Sequence, residues 1–146
     1  MKILAIRGKN LASLDGDFEI DFTSEPLSSA GIFAITGQTG AGKSTILDAL
    51  CLALFDDAPR LNKAESIKKE DLESLSDKIS PQDCRNILRR GTGDGYAEVD
   101  FIALNGDKYC SRWMVRGARS KADGALQPTS NSVKNLTHGV DEQGTK

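Results

Sequence analysis

The sequence predicts an α/β fold in which antiparallel strands flank a strand, a glycine-rich loop and a helix. Three observations carry that expectation. Ile32-Phe-Ala-Ile-Thr36 is a short β-rich run, and a loop with glycine at positions 37, 40 and 42 follows it directly. Residues 44–55 then place Ile46, Leu47, Leu50, Leu54 and Phe55 on helical spacing. Clean two-residue alternation, in Phe18-Glu-Ile-Asp-Phe22 and on both sides of Asn105-Gly106, supplies the flanking strands.

In chain order, Lys2 to Arg7 alternates as a strand and pairs with Phe18 to Phe22, whose Phe18, Ile20 and Phe22 share a face. Asn10, Ser13, Asp15 and Gly16 form a polar connector between them, and residues 25–31 make a second loop leading to the run at 32–36. Two strands therefore precede the glycine-rich loop, an order that by fold analogy favours the ATPase heads of the ABC and SMC type over small GTPases or nucleotide kinases.

Gly37, Gln38, Thr39, Gly40, Ala41, Gly42, Lys43 and Ser44 match the pattern G-x-x-x-x-G-K-[ST] in full. The chemistry follows from the residue types. Backbone N–H groups of such a loop curl round terminal phosphates, the Lys43 ammonium adds a positive charge, and the Ser44 hydroxyl is placed to ligate a magnesium ion. The helix that follows aims its N-terminal dipole at the same anion. A plain strand-to-helix turn is the alternative, and the surrounding strand and helix patterns weigh against it.

Pro59 ends the helix. Residues 63–78 are highly charged, with Ile67, Leu72 and Leu75 sparsely spaced, and read as a short exposed helix or a surface excursion. Arg85 to Gly95 reads as a helical turn followed by a glycine-rich loop. Tyr96 to Leu104 and Lys108 to Arg116 form a hairpin through Asn105-Gly106-Asp107, a turn suited to positive φ at both central positions. Residues 117–129 lack periodicity and are expected to form a mobile loop; Ser132 to His138 is a further strand, and residues 141–145 a turn within which the chain stops. A stop inside a hairpin suggests truncation.

With 146 residues, 27% charged and 38% hydrophobic, the chain is one soluble domain. Its longest apolar run, near residues 46–55, is too short to span a bilayer, and Arg7 breaks the N-terminal apolar stretch that a signal peptide would need, so the expected location is cytoplasmic. Cys51, Cys84 and Cys110 have no spacing for a metal or redox site and read as free thiols. His138, alone of its kind, reads as a surface residue. Net charge is −2, yet between Arg85 and Lys121 basic residues outnumber acidic ones eight to four, which leaves open a DNA-contacting role for strands near Arg112 and Arg116.

The words of the sequence extend beyond the phosphate loop. Met1-Lys-Ile-Leu4, Lys9-Asn-Leu11 with Ser13-Leu14, Ile20-Asp-Phe-Thr23, Phe33-Ala-Ile-Thr-Gly37, Thr39-Gly-Ala-Gly-Lys43 and Leu47-Asp-Ala-Leu-Cys-Leu-Ala-Leu54 occur in order. Pro59-Arg-Leu61, Ala97-Glu-Val-Asp-Phe101, Ala118-Arg119 and Asp123-Gly-Ala-Leu-Gln127 continue the series. From end to end the chain resembles the N-terminal part of the SbcC family, SMC-like ATPase subunits of bacterial nucleases. The resemblance implies that residues 1–146 are the N-terminal lobe of an ATPase head of P-loop, ABC/SMC type, cut off before a long coiled coil. It implies ATP and Mg2+ as cofactors, a homodimer of heads, an SbcD-type metallonuclease partner, and DNA ends and hairpins as substrate in double-strand-break repair.

By position, the same resemblance implies that Gly37 to Thr45 bind phosphate, that Ser44 holds the metal, that Asn10 and Ser13 lie near the nucleotide, and that Arg89 and Arg90 belong to a loop beside it. Some related heads carry a basic residue where this chain has Ala12. Hydrolysis also needs an acidic residue at the end of an apolar strand and a positioned base for water. No segment reads as four apolar residues followed by Asp, and Glu98 and Asp100 sit on an alternating strand as outward carboxylates. The family's glutamine loop, signature loop and acidic strand would lie beyond residue 146, so the chain is expected to hold half a site, with no catalytic residue and no hydrolysis on its own. A non-catalytic DNA-contacting or clamp-assembly module is the alternative, and a P-loop kinase a third.

Overall fold

The computed structural model describes residues 1–61 and 79–142. The expectation for residues 63–78 lies outside them, as does the end of the turn expected at 141–145.

Six strands form one sheet: β1 (Lys2–Leu11), β2 (Leu14–Asp21), β3 (Asp94–Ile102), β4 (Lys108–Arg116), β5 (Ser130–Asn135) and β6 (Val140–Glu142). Their order is β2-β1-β3-β4-β5-β6, and every pairing is antiparallel. The one α-helix among the described residues, α1 (Lys43–Phe55), packs across β1, β3 and β4. No helix among the described residues is long and apolar enough to cross a membrane.

The pairing of β1 with β2 and the β3–β4 hairpin follow the alternation in the sequence. Both strands of the first pair run further than expected. Asn10 belongs to β1 and only Ala12 and Ser13 separate that strand from β2, because Asn10 and Ala12 take left-handed φ values of 52° and 46° that fold the chain back sharply. In the second hairpin the Asn105-Gly106 signal marks the turn correctly, but Gly106 alone has positive φ, at 87°. The Gly106 N–H donates to Ala103 O and the Ala103 N–H to Asp107 O, so the loop spans more residues than a two-residue turn.

Two expectations are corrected. Residues 32–36 belong to no strand: no described strand lies alongside to supply ladder bonds, and Ile32 is 93% exposed. Phe33 instead leans on Phe22, with ring centroids 5.1 Å apart. Near the end of the chain the turn falls earlier than expected, at residues 136–139, with β6 where a turn was expected; His138 lies in the turn, 3.4 Å from Asp107. Residues 117–129 hold a short 3-10 turn at Ala118–Ser120, and backbone bonds tie the segment to β4, Gln127 N–H donating to Arg116 O among them.

The core lies between α1 and one face of the sheet. The buried residues of α1 are Thr45, Asp48, Ala49, Leu52 and Ala53, a stripe at helical spacing made largely of small side chains. The larger residues that carried the helical pattern fall elsewhere: Ile46, Leu50 and Leu54 are half-buried, while Leu47 and Phe55 are exposed. Trp113, wholly buried, fills the space near the helix C-terminus with Leu52, Val99 and Val115. Its indole N–H donates to Asp56 Oδ1 at 2.8 Å, and Asp56 ends the helix in a left-handed conformation, φ 53°. Ser111 donates to the Ala53 carbonyl, so β4 holds the last turn of α1 through two side chains.

A buried indole N–H left without an acceptor costs about 1–3 kcal/mol. Asp56→Ala is expected to lower stability by that amount and Asp56→Asn by much less, since the amide keeps an acceptor and tolerates left-handed φ. Urea unfolding followed by circular dichroism checks both; equal midpoints for the alanine and asparagine variants would remove the hydrogen bond from the account.

Candidate nucleotide site

The loop from Gly37 to Gly42 enters α1 with no regular structure of its own. Gly42, the N-cap residue, sits at φ 90° and ψ 6°. A Cβ there would lie 2.4 Å from Leu14 Cδ2, so the position needs glycine both for its backbone angle and for close contact with the start of β2. At Gly40, φ is 86° with open space around it, and only the backbone angle calls for glycine. No side chain caps the helix N-terminus and no acidic residue lies in its first turn. Its leading N–H groups and its positive dipole end therefore face the loop unneutralised, an arrangement that favours an anion.

Lys43 extends back along the loop, its ammonium donating to the carbonyls of Gly37 and Gln38, both at 2.7 Å. Two of its three N–H bonds hold the loop in shape, and the third remains for a ligand. Ala41 N–H donates to Gln38 O, closing the loop tip. Gln38, Thr39 and Ala41 are exposed, as is Ser44. Thr45 is buried, its hydroxyl 3.4 Å from that of Ser13. A cleft of about 230 Å³ runs between this loop and the β1–β2 turn. Ser13 and Arg60 complete its wall, together with Thr39, Gly40, Gly42, Lys43, Ser44 and Thr45.

The remaining residues that the resemblance pointed to, Asn10, Arg89 and Arg90, do not line the cleft. Asn10 is buried and uses both ends of its amide on backbone: Nδ2 donates to Asp94 O and Oδ1 accepts from Gly16 N–H, each at 3.0 Å. It braces the turn that carries Ser13. Arg89 is brought to the same turn because residues 87–89 run alongside the end of β1, with Ala12 N–H donating to Ile87 O and Arg89 N–H to Asn10 O. Its guanidinium donates to Ala12 O at 3.1 Å and lies 3.4 Å from Asp15. Arg90 is exposed, with no ion-pair partner among the described residues. Both arginines line a separate hollow with Ala12, Asn86 and Leu88.

Magnesium chemistry fits the cleft in one respect. Ser44 offers an exposed hydroxyl at the helix N-terminus, the oxygen type that this ion prefers. The carboxylate nearest in sequence, Asp48, is buried and pairs with Arg60, Nη2 to Oδ2 at 2.6 Å. Burial pushes its carboxyl pKa up, against the opposing effect of Arg60. No acidic residue lines the cleft among the described residues.

Glu98 and Asp100 stand on the other face of the sheet. Strand alternation puts Val99 and Ser111 toward α1, so their neighbours face away from the phosphate loop. Arg7 donates to Glu98 at 3.1 Å, to Asp100 at 2.8 Å and to Glu19 at 2.8 Å. Arg112 adds a bond to Glu98 at 3.3 Å and stacks over Tyr96, 4.3 Å from the ring centre. Arg112 is thus engaged within the sheet, whereas Arg116, the other basic residue singled out on that strand, is exposed. Cys110 comes within 4.8 Å of both carboxylates, a meeting of neighbouring strands that sequence spacing does not reveal. Burial first, and the hydrogen bond to Asp100 next, push its thiol pKa up to about 12, so it is a protonated thiol beside arginine-paired acids.

Arg60 is the cleft residue that sequence reasoning missed. It stood only within the word Pro59-Arg-Leu61, with no role attached to it, and only the return of the chain along α1 brings it to the phosphate loop.

A family model described as an AAA domain matches residues 5–145. Among curated proteins, the chain is 60% identical over 136 residues to the SbcC subunit of the nuclease SbcCD from Pseudomonas aeruginosa, covering 93% of this chain and 11% of that protein. It is 52% identical over 140 residues to the protein of the same name from Rhodobacter capsulatus, with 95% and 11% covered, and 44% identical over 77 residues to that of Bacillus subtilis, with 52% and 7% covered. The chain spans about a tenth of the length of the first two relatives.

The two glycines differ in a measurable way. Gly42→Ala adds a clash with Leu14 to backbone strain and is expected to cost more stability than Gly40→Ala, whose strain alone is worth about 1–3 kcal/mol. Urea midpoints of the two variants check the order; a Gly42→Ala protein as stable as Gly40→Ala would show that the Leu14 contact yields freely.

Proposed function

The chain belongs to the AAA domain family, and on that premise we propose that it is the nucleotide-binding lobe of the ATPase subunit of an SbcCD-type nuclease. The observation that carries the reading is the uncapped N-terminus of α1 behind a loop whose shape is held by Lys43. In this reading ATP lays its terminal phosphates against the loop N–H groups, Lys43 supplies charge, and Ser44 holds Mg2+, which offsets the negative charge of the phosphates. Residues 37–45 do the binding, Ser13 borders the site, and Arg89 and Arg90 flank it.

The chain contributes binding and orientation rather than a base for water. Hydrolysis then needs acidic and polar groups from further sequence and from a second head, so the site is composite and the full-length protein is a homodimer of heads. Working in the cytoplasm with an SbcD-type metallonuclease, it couples ATP hydrolysis to processing of DNA ends and hairpins in double-strand-break repair. An apolar groove between residues 27–35 and α1, lined by Phe22, Phe33, Ile35, Ile46 and Leu47, supports the incomplete head: Phe33, Ile35 and Leu47 are at least two-fifths exposed there. A strand laid against residues 32–36 would supply the missing ladder bonds and cover this surface.

Calorimetric titration of the full-length protein with Mg-ATP tests the binding claim. Lys43→Ala is expected to weaken affinity at least tenfold; equal affinity in both proteins would sink the phosphate-loop reading. Hydrolysis by residues 1–146 alone, lost in the same variant, would refute the composite site.

A further inference from the structure

We propose that Arg60 is a second phosphate-contacting cation of the cleft and that Asp48 is the residue that positions it. The proposal rests on the nucleotide reading above and adds a contact which the phosphate-loop pattern does not contain.

Asp48 lies four residues after Ser44, one turn further along α1 on the face that packs against the sheet. Its side chain is only 6% exposed. A carboxylate buried to that degree needs a cation, and Arg60 supplies it. After α1 ends at Asp56, the chain turns and runs back along the helix, and Arg60 Nη2 comes to 2.6 Å from Asp48 Oδ2. The contact fixes one corner of the guanidinium. The group carries five N–H donors in a planar fork suited to phosphate oxygens, and Asp48 holds it as an ion pair, its Oδ2 making no hydrogen bond among the described residues.

What distinguishes this pair from an ordinary ion pair is where it stands. Arg60 remains 48% exposed, and it forms part of the cleft wall with Gly40, Lys43 and Ser44. The lining of that cleft contains two cations, Lys43 and Arg60, and no carboxylate among the described residues. Lys43 is anchored to loop carbonyls and Arg60 to a helix carboxylate, so both charges are held before a ligand arrives. A phosphate chain entering the cleft meets fixed positive groups from both the loop and the returning segment, and little reorganisation is needed to bind it. The same pairing commits Asp48 to Arg60, leaving Ser44 as the metal's contact from this part of the chain.

The test compares Arg60→Ala, Arg60→Lys, Asp48→Asn and the Asp48→Asn/Arg60→Ala double variant with wild type and Lys43→Ala in the full-length protein. Each is titrated calorimetrically with Mg-ATP and Mg-ADP, and a urea midpoint is recorded for each. Arg60→Ala is expected to weaken Mg-ATP binding about tenfold, a loss that corresponds to one charge-assisted contact. Arg60→Lys should recover only part of it, because an ammonium lacks the fork. Asp48→Asn should weaken binding less, and the double variant should bind within about twofold of Arg60→Ala, since Asp48 acts through Arg60. Should Arg60→Ala fail to fold, Arg60→Lys decides, with a loss of about threefold or more expected.

The proposal is overturned if Lys43→Ala loses binding while Arg60→Ala and Arg60→Lys match wild type, the result expected of a purely structural ion pair that lowers the urea midpoint alone. Additive losses in the double variant overturn the role given to Asp48. Failure of the wild-type protein to bind either nucleotide overturns the nucleotide reading, and this proposal with it.

Discussion

The close docking of α1 on the sheet is the constraint from which the rest of the molecule follows. The helix turns Thr45, Ala49 and Ala53 toward the strands, with Leu52 as its one large buried aliphatic. Small side chains let the helix axis approach, and the approach is then locked at both ends. At the C-terminal end Trp113 and Ser111 of β4 bond to Asp56 and to the Ala53 carbonyl. At the N-terminal end Gly42 rests so closely on Leu14 that no side chain fits between them. Because α1 is held in this way, the direction of its dipole and the position of the loop ahead of it are set by packing rather than by a ligand. The glycine-rich loop and the helix N-terminus are held in place by packing alone.

The two faces of the sheet divide the charged groups between different tasks. On the face toward α1, Lys43 and Arg60 line the cleft, Lys43 held by loop carbonyls and Arg60 by the buried carboxylate of Asp48. On the opposite face Arg7, Arg112, Glu19, Glu98 and Asp100 bond to one another. Partly exposed pairs of this kind contribute little stability each, but they use up their charges. Of the basic residues that are in excess in the sequence, Arg112 is committed to Glu98 and Tyr96. Position within the fold, more than number, decides what a charge can do.

The architecture around the loop was legible in the sequence because its signals were local. Phe18, Ile20 and Phe22 alternate, Asn105-Gly106 marks a turn, and the phosphate pattern carries its glycines at fixed intervals. What was not legible depended on partners distant in the chain. Asn10 and Ala12 gave no cue to their left-handed angles, so the β1–β2 turn is tighter than its polar residues suggested. Asn10 proved to be a brace for that turn, a use visible only once Asp94 and Gly16 are in place. Arg60 and Cys110 likewise acquire their neighbours through chain return and strand pairing. In residues 32–36 the β propensity is clear, yet propensity cannot supply a neighbouring strand to bond with.

That last segment and the helix beside it make one argument about completeness. Leu47 and Phe55 read as core residues from their spacing, and they have the size of core residues, but they face away from the only sheet among the described residues. A helix that is apolar on more than one side is suited to lie between two layers. The first layer is the six-stranded sheet, packed against the small residues of α1. Of the exposed pair, Leu47 shares a groove with Phe33 and Ile35, whose backbone has no ladder partners among the described residues. Both deficits, uncovered aliphatics and unbonded β-rich backbone, adjoin a single groove and call for a single remedy: a second layer that brings a strand. The phosphate loop joins the two regions, leaving residues 32–36 at one end and entering α1 at the other. Any strand that paired with residues 32–36 would therefore also hold the strand-side end of the loop, and covering the groove and anchoring the loop would be one structural event.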